Sequence, residues 1–389
     1  MQVQVQTLKK RIIIALCIAL FGIDVADIVD SPKVHALGCA KLGVVSSVRN
    51  DVVYSPPLVE HIFFHPLIAY PQRAFVGDRQ SKEMFDWFVT VPEFKRIIKS
   101  LYDHNYVLVH LDDVYEFKKI NGKQQAMRHD FHLPAGKKPL VISIDDPNYY
   151  TYMRRYGTVD KLRLNRDGKV VSESYDLKGN TVLSSELDIV PLLDHFVEEH
   201  PDFSYRGAKG TLALTGFEGI LGWRTQSTSR DMSRERVGAR KVVEKLKESG
   251  WRFASHSYGH RHHLKMNLER LKADERKWKR EVGSLVGDTS VYIYPYGEGY
   301  ALGDKRLAWL EQQGYTVFSH VGNVTYEHRL ANKVMQDRRH IDGIVLSRQR
   351  ELFLDLFDVR QVIDLEGRFP LNKMPDTRKN TKTTISDTE

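Results

Sequence analysis

From about Leu58 onward, short apolar runs alternate with stretches whose apolar residues recur at helical spacing, and that alternation admits few folds. Strands separated by amphipathic helices are joined in parallel, because an antiparallel pair needs only a tight turn. Residues 61–65, 106–110, 139–144, 210–215, 251–254, 291–294, 315–319 and 343–346 read as strands. Helices are expected over 91–101, where Pro92 suits a first turn, and around 189–199 and 235–249. Segment 156–183 departs from this rhythm: Asp167-Gly168 sits between alternating runs, the mark of a β-hairpin inserted into the main domain. The polar tail 370–389 is expected to be disordered, and no fixed-period repeat occurs.

The N-terminus reads as an export signal. Lys9, Lys10 and Arg11 precede an apolar run over 12–23 that Asp24 ends, the core of a signal peptide and short for a membrane span. Val34-His35-Ala36 has the small-residue character of a cleavage site. Residues 1–36 are therefore expected to be a signal peptide or a retained membrane anchor, 37–57 a linker, and 58–369 the main domain of a secreted or cell-envelope protein. Any membrane contact would run through the N-terminal segment alone.

Cys17 and Cys39 are the only cysteines, so the body of the chain has no disulfide and no thiolate metal site. A metal would have to be held by histidine and carboxylate. The net charge of +8 favours anionic surroundings. With no basic stripe interleaved with aromatics, it does not point to nucleic acid.

Three stretches stand at C-terminal ends of expected strands, where parallel α/β folds place their active sites. Asp145-Asp146 follows a buried run; adjacent carboxylates there suit one metal ligand and one base, or an ordinary helix cap. His256 and His260, in Ser255-His256-Ser257-Tyr258-Gly259-His260, are spaced to share a divalent ion, while His262 and His263 read as polar surface. Tyr294-Pro295-Tyr296-Gly297 can aim backbone N–H groups and ring faces into a pocket, or be a tight turn. One aspartate and two histidines would make a three-ligand site for zinc, cobalt, nickel or iron.

In this order the stretches resemble the polysaccharide deacetylases of carbohydrate esterase family four, the NodB-homology domain, over residues 58–364. The resemblance implies a distorted, incomplete (β/α) barrel and a divalent metal ion, zinc foremost. It implies Asp145 as general base and Asp146, His256 and His260 as metal ligands. The backbone N–H of Tyr296 would hold the oxyanion, and Tyr294, Pro295, Tyr296 and Tyr258 would line the substrate groove. The implied substrate is an acetylated glycan, peptidoglycan first. Tyr149, Tyr150 and Trp223 are further candidates for stacking on sugar rings.

The chain also departs from the family. Pro147-Asn148 replaces the usual glycine, Ile293 stands where an arginine often orients the base, and the family's Asp-Trp motif does not follow these stretches. The late Leu-x-His motif would fall near Val345-Leu346-Ser347-Arg348, with no histidine, leaving His320 or His340 as candidate acids. A catalytically impaired glycan-binding module and a metal amidohydrolase or esterase for another acyl substrate are the alternative readings. The sequence leaves the oligomeric state open.

Overall fold

The computed structural model describes residues 51–54, 59–129 and 131–368. The expected signal or anchor segment 1–36, most of the linker 37–57 and the tail 370–389 lie outside the described residues. The chain divides into two units, Met1–Asp51 and Val52–Glu389, and the barrel lies within the second. Among the described residues no helix is long and apolar enough to cross a membrane.

The strands in the first half are β1 (Asp51–Tyr54), β2 (Glu60–Phe64), β3 (Tyr106–Leu108), β4 (Tyr115–Ile120), β5 (Lys123–Arg128), β6 (Phe131–Pro134) and β7 (Lys138–Asp145). Next come β8 (Lys161–Leu164), β9 (Val170–Tyr175), β10 (Thr181–Ser184), β11 (Thr211–Leu214) and β12 (Arg252–Ser255). The last are β13 (Val291–Ile293), β14 (Val317–Val321), β15 (Tyr326–Arg329) and β16 (Val334–His340). Seven run parallel in the order β11-β12-β13-β14-β16-β2-β7, and β7 pairs back onto β11, so the ring closes. The closure is uneven. The N-terminal half of β7 pairs with β3 and its C-terminal half with β11, which splits the barrel open at one end. With one strand fewer than an eight-stranded barrel, this is the distorted, incomplete (β/α) barrel that the resemblance implies.

Side-chain alternation decides what each strand contributes. Leu140, Ile142 and Ile144 of β7 pack outward into the main core beneath the helices. Val141 instead joins Ala213, Ala254, Ile293, Val317 and Val334 in a second cluster, the barrel interior. Ser143 and Asp145 share the parity of Val141 and so face inward. The helix Val91–Asp103 shows how the outer layer is fixed. Thr90 and Glu93 form a capping box, Phe94, Ile97, Ile98 and Leu101 are buried, and the cap contributes about 1 kcal/mol.

Two expected elements differ. Residues 343–346 lie in a helix, Gly343–Arg348, because the Asp342 carboxylate accepts from Ile344 N and Val345 N (2.9 and 3.1 Å) and caps it. The strand of that region is β16, whose charged sequence hid it. The inserted hairpin is a three-stranded antiparallel sheet, β8-β9-β10, with Gly168 at φ 75° in the first turn. It braces the loop after β11: Leu162 N donates to Leu221 O (3.0 Å) and Trp223 Nε1 to Leu162 O (2.8 Å).

Candidate active site

Parallel strands bring their C-terminal ends to one rim. Asp145 ends β7, His256 follows β12, and Arg338 lies near the end of β16. His65 follows β2, whose Phe64 pairs with Ile144, so His65 stands level with Asp145 on the adjacent strand. Counting by twos along each strand from Val141, Ala254 and Val334 puts Asp145, His256 and Arg338 on the barrel's inner face.

Arg338 grips Asp145 with both arms: Nη1 to Oδ1 at 2.7 Å and Nη2 to Oδ2 at 2.9 Å, with both side chains buried. Burial alone would raise the Asp145 pKa, but the Arg338 charge, followed by His256, outweighs it and holds the carboxyl well below the usual range. Arg338 also donates to Ser143 Oγ (2.9 Å), which contacts His61 Nε2 (3.0 Å). Burial, then Arg338, pushes His61 down to about 3, so this second neighbour stays neutral. The arginine that Ile293 fails to supply thus comes from β16.

Asp146, His256 and His260 bring one ligand atom each within 4.8 Å of one another. His256 Nδ1 contacts the Ile293 carbonyl (2.8 Å), which leaves Nε2 for a metal. His260 Nε2 lies 3.3 Å from Asp146 Oδ2. One carboxylate and two imidazoles, converging at a rim and held from behind, fit a divalent ion. The Asp274 carboxylate clamps the histidine loop by accepting from Tyr258 N (2.6 Å) and Gly259 N (3.0 Å). Asn148, at the family's glycine position, ties the aspartate loop to the end of β11: Nδ2 donates to Thr215 O (2.9 Å) and Oδ1 accepts from Thr215 N (3.3 Å).

Strain collects here. Among the described residues nine non-glycine positions have left-handed backbone, and five of them, Asp146, Tyr149, Ser257, His260 and Tyr296, lie in or beside the three motifs. Such conformations cost about 1–3 kcal/mol each, so the surrounding packing and hydrogen bonds must hold them.

The aromatic candidates separate by exposure. Tyr296 is 56% exposed and stacks on His262 (4.0 Å, 10°), whose Nδ1 lies 2.8 Å from Glu298 Oε1. Pro295 and the ring of Tyr294 are buried, the latter among Tyr292, Tyr300 and Phe318, so Tyr294 backs the corner instead of lining a groove. Tyr258 is buried with its hydroxyl on Glu281 (2.8 Å), and Tyr149 is buried with its hydroxyl on Asp188. Tyr150 is buried too and donates to Asp146 Oδ1 (2.5 Å). Half-buried Trp223 is committed to the inserted sheet through its Nε1. The rings left exposed near Tyr150 are Tyr152 and Phe217, which stack on it from 6.0 and 4.6 Å. His263 is no surface residue: it is fully buried, its Nε2 meets the Tyr292 hydroxyl (2.7 Å), and burial pushes its pKa down to about 3.

Neither histidine proposed as acid from sequence joins the triad. On β14, Val317 faces inward, so His320 faces outward, packed on Tyr294 (4.9 Å) and filling the space beside Gly299. Burial, then Arg338, pushes it down to about 4. His340 has Nδ1 on Asp342 (2.8 Å) and Nε2 on Gln349 (3.1 Å). His65, close enough to Asp145 to help lower its pKa, is the half-buried histidine that sequence reasoning passed over. Its signal was a strand-final position with the parity of His61.

Residues 214–318, from the end of β11 to β14, match the family model described as polysaccharide deacetylase. No curated protein matches the sequence. Among solved structures, the chain is similar to the Streptococcus pyogenes deacetylase PplD in complex with acetate, at 13% identity and a TM-score of 0.43, over 74% of this chain and 94% of that one. It is also similar to IcaB from Ammonifex degensii, at 12% identity and a TM-score of 0.38, over 75% and 94% of the two chains. The segment that carries the histidine pair and proline corner is thus similar to the polysaccharide deacetylase family.

Proposed function

We propose that this chain removes N-acetyl groups from an amino-sugar polymer of the cell envelope, peptidoglycan or a poly-N-acetylglucosamine or chitin-like glycan. Asp146, His256 and His260 would hold the divalent ion, with zinc the best match to the donor set and cobalt, nickel and iron next. The observation that carries the reading is the Arg338-bound Asp145 beside that three-donor group. An ion there would polarise an acyl carbonyl and acidify water.

The chain's own groups would do the rest. Asp145, kept ionised by Arg338, takes a proton from the attacking water. The Tyr296 N–H, aimed by a left-handed turn, stabilises the oxyanion. His65, level with Asp145, returns a proton to the departing sugar amine. Exposed Tyr152, Phe217 and Tyr296 offer ring faces to the glycan in place of buried Tyr149, Tyr150 and Tyr258. The impaired-module alternative rests on a missing arginine and acid; Arg338 on Asp145 supports the intact-site reading, with His65 as the proposed acid. Export by residues 1–36 would bring the enzyme to its wall substrate.

The test is to strip the chain of metal, reload it with zinc or cobalt, and incubate it with peptidoglycan fragments and N-acetylglucosamine oligomers. Metal-dependent loss of acetyl groups by mass spectrometry is expected. Stoichiometric metal with no loss from any glycan would overturn the proposal.

A further inference from the structure

Tyr150 was a candidate for sugar stacking, yet its ring is closed off and its hydroxyl is engaged. It donates to Asp146 Oδ1 at 2.5 Å, and its oxygen lies 2.5 Å from Thr215 Oγ1, which can return a donor. Phe217 stacks on the ring at 4.6 Å and 23°, and Tyr152 lies at 6.0 Å and 26°, so the ring cannot swing without disturbing both. Thr215 is itself fixed on both sides of its peptide by Asn148. The Asp146 backbone is pinned as well, with its N–H on Ala213 O at 3.2 Å.

The consequence falls on the carboxylate. With Oδ1 taken by the tyrosine, Oδ2 is the oxygen turned to His260 Nε2, 3.3 Å away. We infer that Tyr150 is a positioning residue for the metal site, presenting Asp146 to the ion through a single oxygen, with Thr215 and Asn148 as its support. The inference rests on the metal-site reading above. It also gives a role to the replacement of glycine by Pro147-Asn148: Asn148 braces the threonine that braces the tyrosine.

The Tyr150→Phe variant keeps the ring stack and removes only the hydroxyl. The full chain, freed of metal, is titrated with zinc against a chromophoric chelator and with cobalt by visible absorption. Supporting groups behind a metal ligand are worth about 10–100-fold in affinity, so Tyr150→Phe should raise the zinc Kd by about that factor. Its cobalt bands should weaken as the freed Oδ1 also reaches the ion. Tyr175→Phe, at an exposed ring on the inserted sheet, should change neither readout. A Tyr150→Phe Kd and cobalt spectrum equal to those of the parent would overturn the inference. If that variant does not fold, Thr215→Val keeps the tyrosine but removes its anchor; weaker binding is expected, and parent affinity would again overturn it. A parent chain that takes up no ion overturns the metal-site reading itself, a different failure from a parent and variant that bind alike.

Discussion

Replacing Arg338 with Met should be among the most destabilising single changes in the barrel interior. The pair is bidentate at 2.7 and 2.9 Å, with the arginine fully buried, so the variant leaves the Asp145 carboxylate buried without a cation. Breaking a buried ion pair from one side costs about 3–5 kcal/mol. At about 2–4 °C per kcal/mol for a large domain, the melting temperature should fall by about 6–20 °C. The pH dependence supplies a sharper signature. In the parent, the Asp145 pKa is lower folded than unfolded, so its contribution is complete above the unfolded value of about 4 and fades only as pH falls toward the folded one. Without Arg338, burial is left to raise the folded pKa above the unfolded one. The folded state then binds the extra proton, and the variant loses stability as pH rises. Thermal unfolding of metal-free protein between pH 5 and pH 8 should show the variant's deficit growing with pH. Adding Asp145→Asn should recover much of the loss, a coupling near the top of the range of about 0.5–3 kcal/mol for contacting pairs. A deficit under about 1 kcal/mol, or no recovery in the double variant, would refute the claim that this pair organises the rim.

Other changes separate the roles of the remaining groups. Asp145→Asn should cut kcat by about 10²–10⁴-fold with the metal still bound, whereas His256→Ala should lose both; an Asp145→Asn variant of full activity would remove it as base. His65→Gln should lower kcat by about 10²-fold or more while His320→Gln, on the outward face, leaves turnover unchanged; the reverse pattern would restore His320 as the acid. Asp274→Ala removes the acceptor for two backbone N–H groups and should cost about 1–3 kcal/mol per bond, with weaker zinc binding read by calorimetry. Parent-like stability and affinity would mean the histidine loop holds itself.

Much of the barrel was legible because its outer layer obeys simple periodicity. Runs such as Leu140–Ile144 and the capped helix at Val91 announce themselves by apolar spacing and cap chemistry. β16 did not, because its inward residues include Gln336 and Arg338, and a polar barrel interior erases the apolar signal. That is also why the partner of Asp145 was missed: it lies 193 positions away, on a strand with no hydrophobic signature. The three motifs were visible as residue types, but not which rings would be buried. Strand parity sends Tyr294 and His320 outward and Arg338 inward, and parity needs a register that one sequence does not print. His65 could have been suspected from its place at a strand end, yet only the pairing of Phe64 with Ile144 sets it beside Asp145.

A divalent ion held by Asp146, His256 and His260 beside the Arg338-bound Asp145 can be located directly. Anomalous diffraction at the zinc edge from zinc-loaded crystals is the test. The expected result is a peak about 2.0–2.2 Å from His256 Nε2, a His260 ring nitrogen and one Asp146 oxygen, with Asp145 still on Arg338. A zinc-loaded crystal with no peak there, or with its peak on His262 and Glu298 instead, would contradict it.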